Sequence, residues 1–203
     1  MNEFSLSRSR DKVLPEHVVD SMGNTIPIDA DFHTVLKCMR VMGDPDVPAQ
    51  DKAFLLMTWF FKGAFVPEAF TLFAGFLSSG EEPDNEPAKM DYEQDADAIY
   101  ASFLRDYGID LLETRMHWNK FRALMSGLSE QSALASRMKL RDMDTSGLKG
   151  KDKMKAEKAK RRVALKERVS KEELEIQEQL QRALAAGEDP APILARIRTM
   201  GGE

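Results

Sequence analysis

The stretch DYEQDADAIYASFLRDYGIDLLETRMHWNKFRALMSGL, residues 91–128, decides the fold class. Within it Ile99, Tyr100, Phe103, Leu104 and Tyr107 recur with the spacing of one helical face. Gly108 follows as the residue type that closes a helix in left-handed backbone. Asp91, Glu93, Asp95 and Asp97 crowd the start, where the helix dipole favours negative charge. The spacing therefore predicts a helix over 91–107. A second is predicted over 114–126, with Trp118, Phe121, Leu124 and Met125 inward and Gly127 as its stop.

Toward the N-terminus the helical period persists. Asp29 is placed to cap a helix through residue 41 that turns Phe32, Val35, Leu36 and Met39 to one side, with Gly43 ending it. After the turn GDPDVP, Asp46 is the expected cap of a helix over 47–61. Its apolar residues Phe54, Leu55, Leu56, Met57, Trp59, Phe60 and Phe61 run most of the way round, which predicts a central position. Pro67 suits the first turn of a third helix carrying Phe70, Leu72, Phe73, Phe76 and Leu77. Residues 78–90, acidic and holding Pro83 and Pro87, read as a loop. Further upstream, β-prone pieces at 18–20 and 25–28 flank Met22-Gly23-Asn24 and predict a hairpin that must rest on the helices. Residues 1–12 read as a flexible polar arm.

Toward the C-terminus a sixth helix is expected after Ser129, with Leu134 and Met138 inward. Beyond Asp144-Thr145-Ser146-Gly147 the character changes. The run KGKDKMKAEKAKRRVALKERVSKEELEIQEQLQRALAAG has strong helix formers but only an intermittent apolar edge of Met154, Leu165, Val169, Leu174, Ile176 and Leu180. It predicts one long, largely solvated helix, broken at Gly187–Pro190 and followed by a short helix. The expected fold is mainly α: a bundle of about six helices, a small N-terminal β-hairpin and a long charged C-terminal arm. The expected divisions are 1–12, a helical domain at 13–146, the arm at 147–187 and a final helix within 188–203.

Charge is divided along the chain. Residues 1–136 hold 12 Lys/Arg against 22 Asp/Glu, a net of −10, whereas residues 137–171 hold 14 against 5, a net of +9. This asymmetry speaks to partners more than the overall net of −5 does. Cys38 is the single cysteine, so an internal disulfide is excluded; its neighbours Leu36 and Met39 predict a buried thiol in a reducing compartment. The N-terminal sequence lacks the apolar core of a signal peptide, and no apolar run approaches a membrane span. The expectation is a cytoplasmic protein without a membrane partner.

No enzyme signature emerges. His17, His33 and His117 lack partners at metal-ligand or triad spacing. His117, beside Trp118, reads as a helix-surface or core-edge histidine. Counted as a calcium loop from Asp91, the sixth position is Ala96 and the twelfth Ser102, so the pattern fails. SGLKGKDK lacks the strand and residue order of a phosphate loop. Neither metal, cofactor nor catalytic residue is assigned. Lys149–Arg162 is the strongest electrostatic feature, with Lys153, Lys155, Lys158, Arg161 and Arg162 as candidate contacts. It holds no aromatic residue for base stacking, which favours a protein partner over nucleic acid. Trp59, Phe60, Phe61, Phe73 and Phe76 belong to an aromatic-dense region that reads first as core, and second as a self-association surface or a groove for an amphipathic helix.

The 91–128 motif resembles the bacteriophage gene-product-fifteen family of small tail-cluster proteins. The resemblance rests on Asp95-Ala96-Asp97, Ile99-Tyr100, Phe103, Tyr107-Gly108-Ile109-Asp110-Leu111, His117-Trp118, Phe121, Leu124 and Leu128, with Met116 where the family pattern has leucine. It extends over about 14–165, including Ile28–Phe32 and the segment MKLRDMD. The resemblance implies a non-catalytic phage or prophage protein whose gene lies between those of the major tail protein and the tape-measure protein. That position is typical of tail assembly chaperones, which coat the tape measure until tail-tube subunits replace them. The implied partners are the tape-measure protein and the major tail protein. Two other readings stand beside it: a DNA-associated phage protein using residues 149–162, and a structural part of the tail.

Overall fold

Asp20 and Gly23 shape the first element. In the computed structural model, which describes residues 13–78, 88–166, 168–186, 189–193 and 195, β1 (His17–Val19) pairs antiparallel with β2 (Thr25–Pro27), setting Val18 opposite Ile26. The Asp20 carboxylate accepts the amide protons of Met22 and Asn24 at 3.0 and 2.7 Å. Gly23 takes φ +87°, a backbone conformation costly for side-chain-bearing residues. The expected arm 1–12 and most of the expected final helix lie outside the described residues.

Eight named helices follow among the described residues: α1 (Phe32–Met42), α2 (Ala49–Trp59), α3 (Ala69–Ser78), α4 (Ala96–Tyr107), α5 (Trp118–Ser126), α6 (Ala133–Asp142), α7 (Gly150–Val163) and α8 (Lys171–Ala186). The chain is thus mainly helical with one two-stranded sheet. Helix α1 packs on α2 and α5, α2 on α3, α4 on α6, and α6 on α7, while β1 lies against α3.

The apolar stripes meet in one core. Phe121 stacks on Phe32 at 4.7 Å between ring centroids, on Phe103 at 5.2 Å and on Trp118 at 5.6 Å. A second aromatic group joins it, with Phe60 edge-on to Phe61 and Phe73, each at 4.9 Å. Each ring contributes about 1.5–3 kcal/mol by leaving water. The two groups are tied by the backbone where Asp29 N–H donates to Phe60 O at 2.7 Å, and a bridge fixes α1 against α5 within the first. Asp31 and His117 form an isolated antiparallel bridge, in which Phe32 N–H donates to Met116 O and Trp118 N–H to Ala30 O at 2.7 Å. Both bridge residues are also helix caps, so α1 and α5 start from one point.

Several predicted boundaries shift, each for a local reason. Helix α4 begins at Ala96 because residues 91–95 wind as turns around the Asp91 carboxylate, which accepts the Glu93 and Gln94 amides at 2.9 and 2.8 Å. Helix α5 begins at Trp118 because the residues before it are committed to the bridge. Helix α2 is preceded by Pro48 without a side-chain cap, and the Asp46 carboxylate instead accepts the Lys171 amide at 2.9 Å.

The expected single long helix is corrected to two. Ala164 leaves helical geometry with ψ 137°. The Gln94 amide then brackets Lys166, accepting its N–H at 2.8 Å and donating to its carbonyl at 2.9 Å. Helix α8 restarts with a reciprocal capping box, in which Ser170 Oγ accepts the Glu173 amide and Glu173 Oε2 accepts the Ser170 amide. The arm therefore folds back along the body through α7 and this bracket.

Candidate partner-binding site

The acidic start of α4 is a structural clasp. Asp95 is fully buried, and α6 presents Arg137 and Arg141 one turn apart toward it. Arg141 donates to both Asp95 oxygens at 2.7 Å, and Arg137 donates to Oδ1 at 3.2 Å. The Asp91 amide adds a fourth bond at 3.0 Å. Burial by itself would raise the Asp95 pKa; the Arg141, Asp91 and Arg137 hydrogen bonds together outweigh it and hold the carboxyl below its ordinary range. Asp97 takes the outer side of Arg137 in a bidentate pair at 2.8 Å for both bonds. Arg141 further donates to Lys89 O at 2.9 Å and to Val163 O, at the end of α7. One guanidinium thus joins α4, α6 and the arm. Asp95 and Asp97 were visible in the sequence as a helix start; their partners were not, although two arginines four residues apart on a predicted helix are the available signal.

The other motif residues serve the same framework. Ile99, Phe103, Trp118 and Phe121 are buried. Tyr100 Oη donates to Asp110 Oδ2 at 3.2 Å and Tyr107 Oη to Leu124 O at 2.8 Å, fixing the chain after α4 and the end of α5. Gly108 takes φ +65° as the left-handed cap of α4. His117 caps α5: Nδ1 accepts the Asn119 amide at 3.0 Å, which leaves Nε2–H to donate to Pro15 O at 3.0 Å. Desolvation lowers the His117 pKa below its usual value, against the Pro15 contact. Cys38 is buried, and that burial pushes its thiol up to about 12.

Among the described residues two exposed surfaces stand out. The first is an apolar groove of about 530 Å³ between α1, α2 and α3, lined by Met39, Met42, Ala49, Lys52, Phe70, Phe73, Ala74 and Leu77. Of the aromatic residues proposed from sequence for partner contact, Phe60, Phe61, Phe73 and Phe76 all lie in the core, and Phe73 alone of these also borders the groove. They are consumed by ring packing where α3 crosses the end of α2. Trp59 is half-buried beneath the Lys37 ammonium, 3.4 Å from the ring centroid. Phe70, a member of the same aromatic-dense region of the sequence, is 44% exposed at the groove.

The second surface is α7, which has no buried residue. Lys153 approaches Glu157 at 4.0 Å and Lys160 donates to Met143 O. Lys155, Lys158, Arg161 and Arg162 are exposed. Arg162 also borders a cavity of about 780 Å³ shared with Arg40, Arg141, Lys166 and Arg168.

Among the described residues no group of three or more His, Cys, Asp or Glu is arranged to hold a metal ion. No helix among them is long and apolar enough to cross a membrane. Fold and surfaces together describe a helical protein built around an aromatic core, with an apolar groove and an exposed basic helix. The chain belongs to the bacteriophage Gp15 protein family: the model described as "Bacteriophage Gp15 protein" matches residues 11–165. No curated protein and no solved structure matches it.

Proposed function

We propose that the protein is a non-catalytic tail assembly chaperone that binds helices of the phage tape-measure protein in the host cytoplasm, with the major tail protein as a second partner. The observation that supports this most is the open groove between α1, α2 and α3. Methionines line a wall that adapts to varied apolar side chains, and Phe70 stands exposed at it. Such a groove accepts one face of an amphipathic helix. Among the described residues Lys52 is the one charged side chain that lines it. Family membership places the chain among phage proteins and is consistent with this role.

Co-expression with the tape-measure protein of the same phage tests the reading. The expected result is a higher soluble yield of the tape measure and a complex that survives purification. Unchanged solubility together with no complex refutes it.

A further inference from the structure

The basic helix carries a more specific pattern than its charge. Lys151, Lys155, Lys158 and Arg162 follow at i, i+4, i+7 and i+11, and all four are exposed. At about 3.6 residues per turn these positions fall within a narrow stripe, roughly 16 Å long from the rise per residue. The same helix holds Asp152 and Glu157, but both lie off this stripe. Among the described residues none of the four cations takes part in a salt bridge, whereas Lys153 approaches Glu157 at 4.0 Å. The half-buried side of the helix is formed by Ala156, Glu157, Ala159, Lys160 and Val163, turned toward the body, so the stripe faces outward. Its Arg162 end opens onto the cavity that also holds Arg40 and Lys166.

We propose that this stripe is a docking track for an acidic helical segment of a protein partner, one presenting carboxylates at the same i, i+4, i+7, i+11 spacing. Two helices laid side by side share the same rise, so carboxylates at this spacing fall opposite the four cations. A duplex nucleic acid is disfavoured by the body behind the track, since residues 1–136 carry a net of −10 that repels phosphates beyond the stripe. The track also offers no aromatic side chain for bases. The inference deepens the chaperone reading by assigning a second contact, distinct from the apolar groove.

The test uses the full-length protein and three labelled probes: a helical peptide with glutamates in the striped spacing, a peptide of equal composition with them spread around the helix, and a 20-base-pair DNA duplex. The striped peptide is expected to bind at least tenfold more tightly than either other probe, with affinity falling as salt rises. The K155E/K158E variant is expected to lose this binding while keeping the wild-type circular dichroism and melting temperature. Equal binding of the two peptides, DNA binding as tight as the striped peptide, or unchanged binding by the variant each overturns the proposal. Tape-measure capture is measured alongside. Capture without striped-peptide binding sinks the track alone; striped-peptide binding without capture sinks the chaperone reading alone.

Discussion

Replacing Asp95 by Asn tests the clasp that holds the body and arm together. The carboxylate is fully buried and receives bonds from Arg141, Arg137 and the Asp91 amide. The Asn side chain has the same shape but sets an NH2 group against the guanidinium groups. Arg141 has 11% of its side chain exposed, so it cannot recover its hydration in place. Breaking a buried pair by removing one partner costs about 3–5 kcal/mol. Arg137 retains Asp97, a 75%-exposed partner, so the lower end applies: about 3 kcal/mol. For a chain of this size each kcal/mol moves the midpoint about 2–4 °C, giving a fall of about 6–12 °C. Thermal and urea unfolding followed by circular dichroism measure it. Asp97→Asn, a surface change, is expected to cost below about 1 kcal/mol. Arg141→Gln should resemble Asp95→Asn, and the double variant should cost much less than the two single effects summed. A loss below about 0.5 kcal/mol for Asp95→Asn refutes the clasp as a stabilising device.

The pH dependence should show two acid steps. A folded-state pKa lowered for His117 means that its stabilising contribution is complete above the unfolded value near 6.5, and is lost as pH falls through the folded value. Urea midpoints should fall below about pH 6.5, and His117→Asn, which keeps an N-cap acceptor, should remove this step. Asp95, also lowered, is lost only on further acidification, below its unfolded value of about 3.9. Gln94→Ala should release the 164–170 linker, seen as faster proteolysis there with a nearly unchanged body midpoint. Gly108→Ala meets no neighbouring atom within 4 Å, so its cost is backbone strain alone, about 1–2 kcal/mol in chemical denaturation.

The periodicity of Ile99, Phe103 and Phe121 was enough to place the core, because burying an amphipathic face is a local demand that leaves a repeating trace. The clasp was half-legible: Asp95 could be seen, but its pairing with Arg141 spans 46 residues and follows no period. The break at Ala164–Ser170 was hidden for a similar reason, since Gln94 reaches it across 72 residues. The restart of α8 does leave a local trace, the capping box Ser170-Lys171-Glu172-Glu173, but the surrounding run of helix formers masks it and the segment reads as one helix. Aromatic density alone could not separate Phe60 from Phe70, since exposure depends on the angle at which α2 and α3 cross.

The groove is the central claim, and a folded groove variant addresses it most directly. Phe70 is 44% exposed, so Phe70→Glu should leave the fold and melting temperature intact. Co-purification with the tape-measure protein should then fall at least tenfold relative to wild type. Undiminished capture by this folded variant would contradict the account.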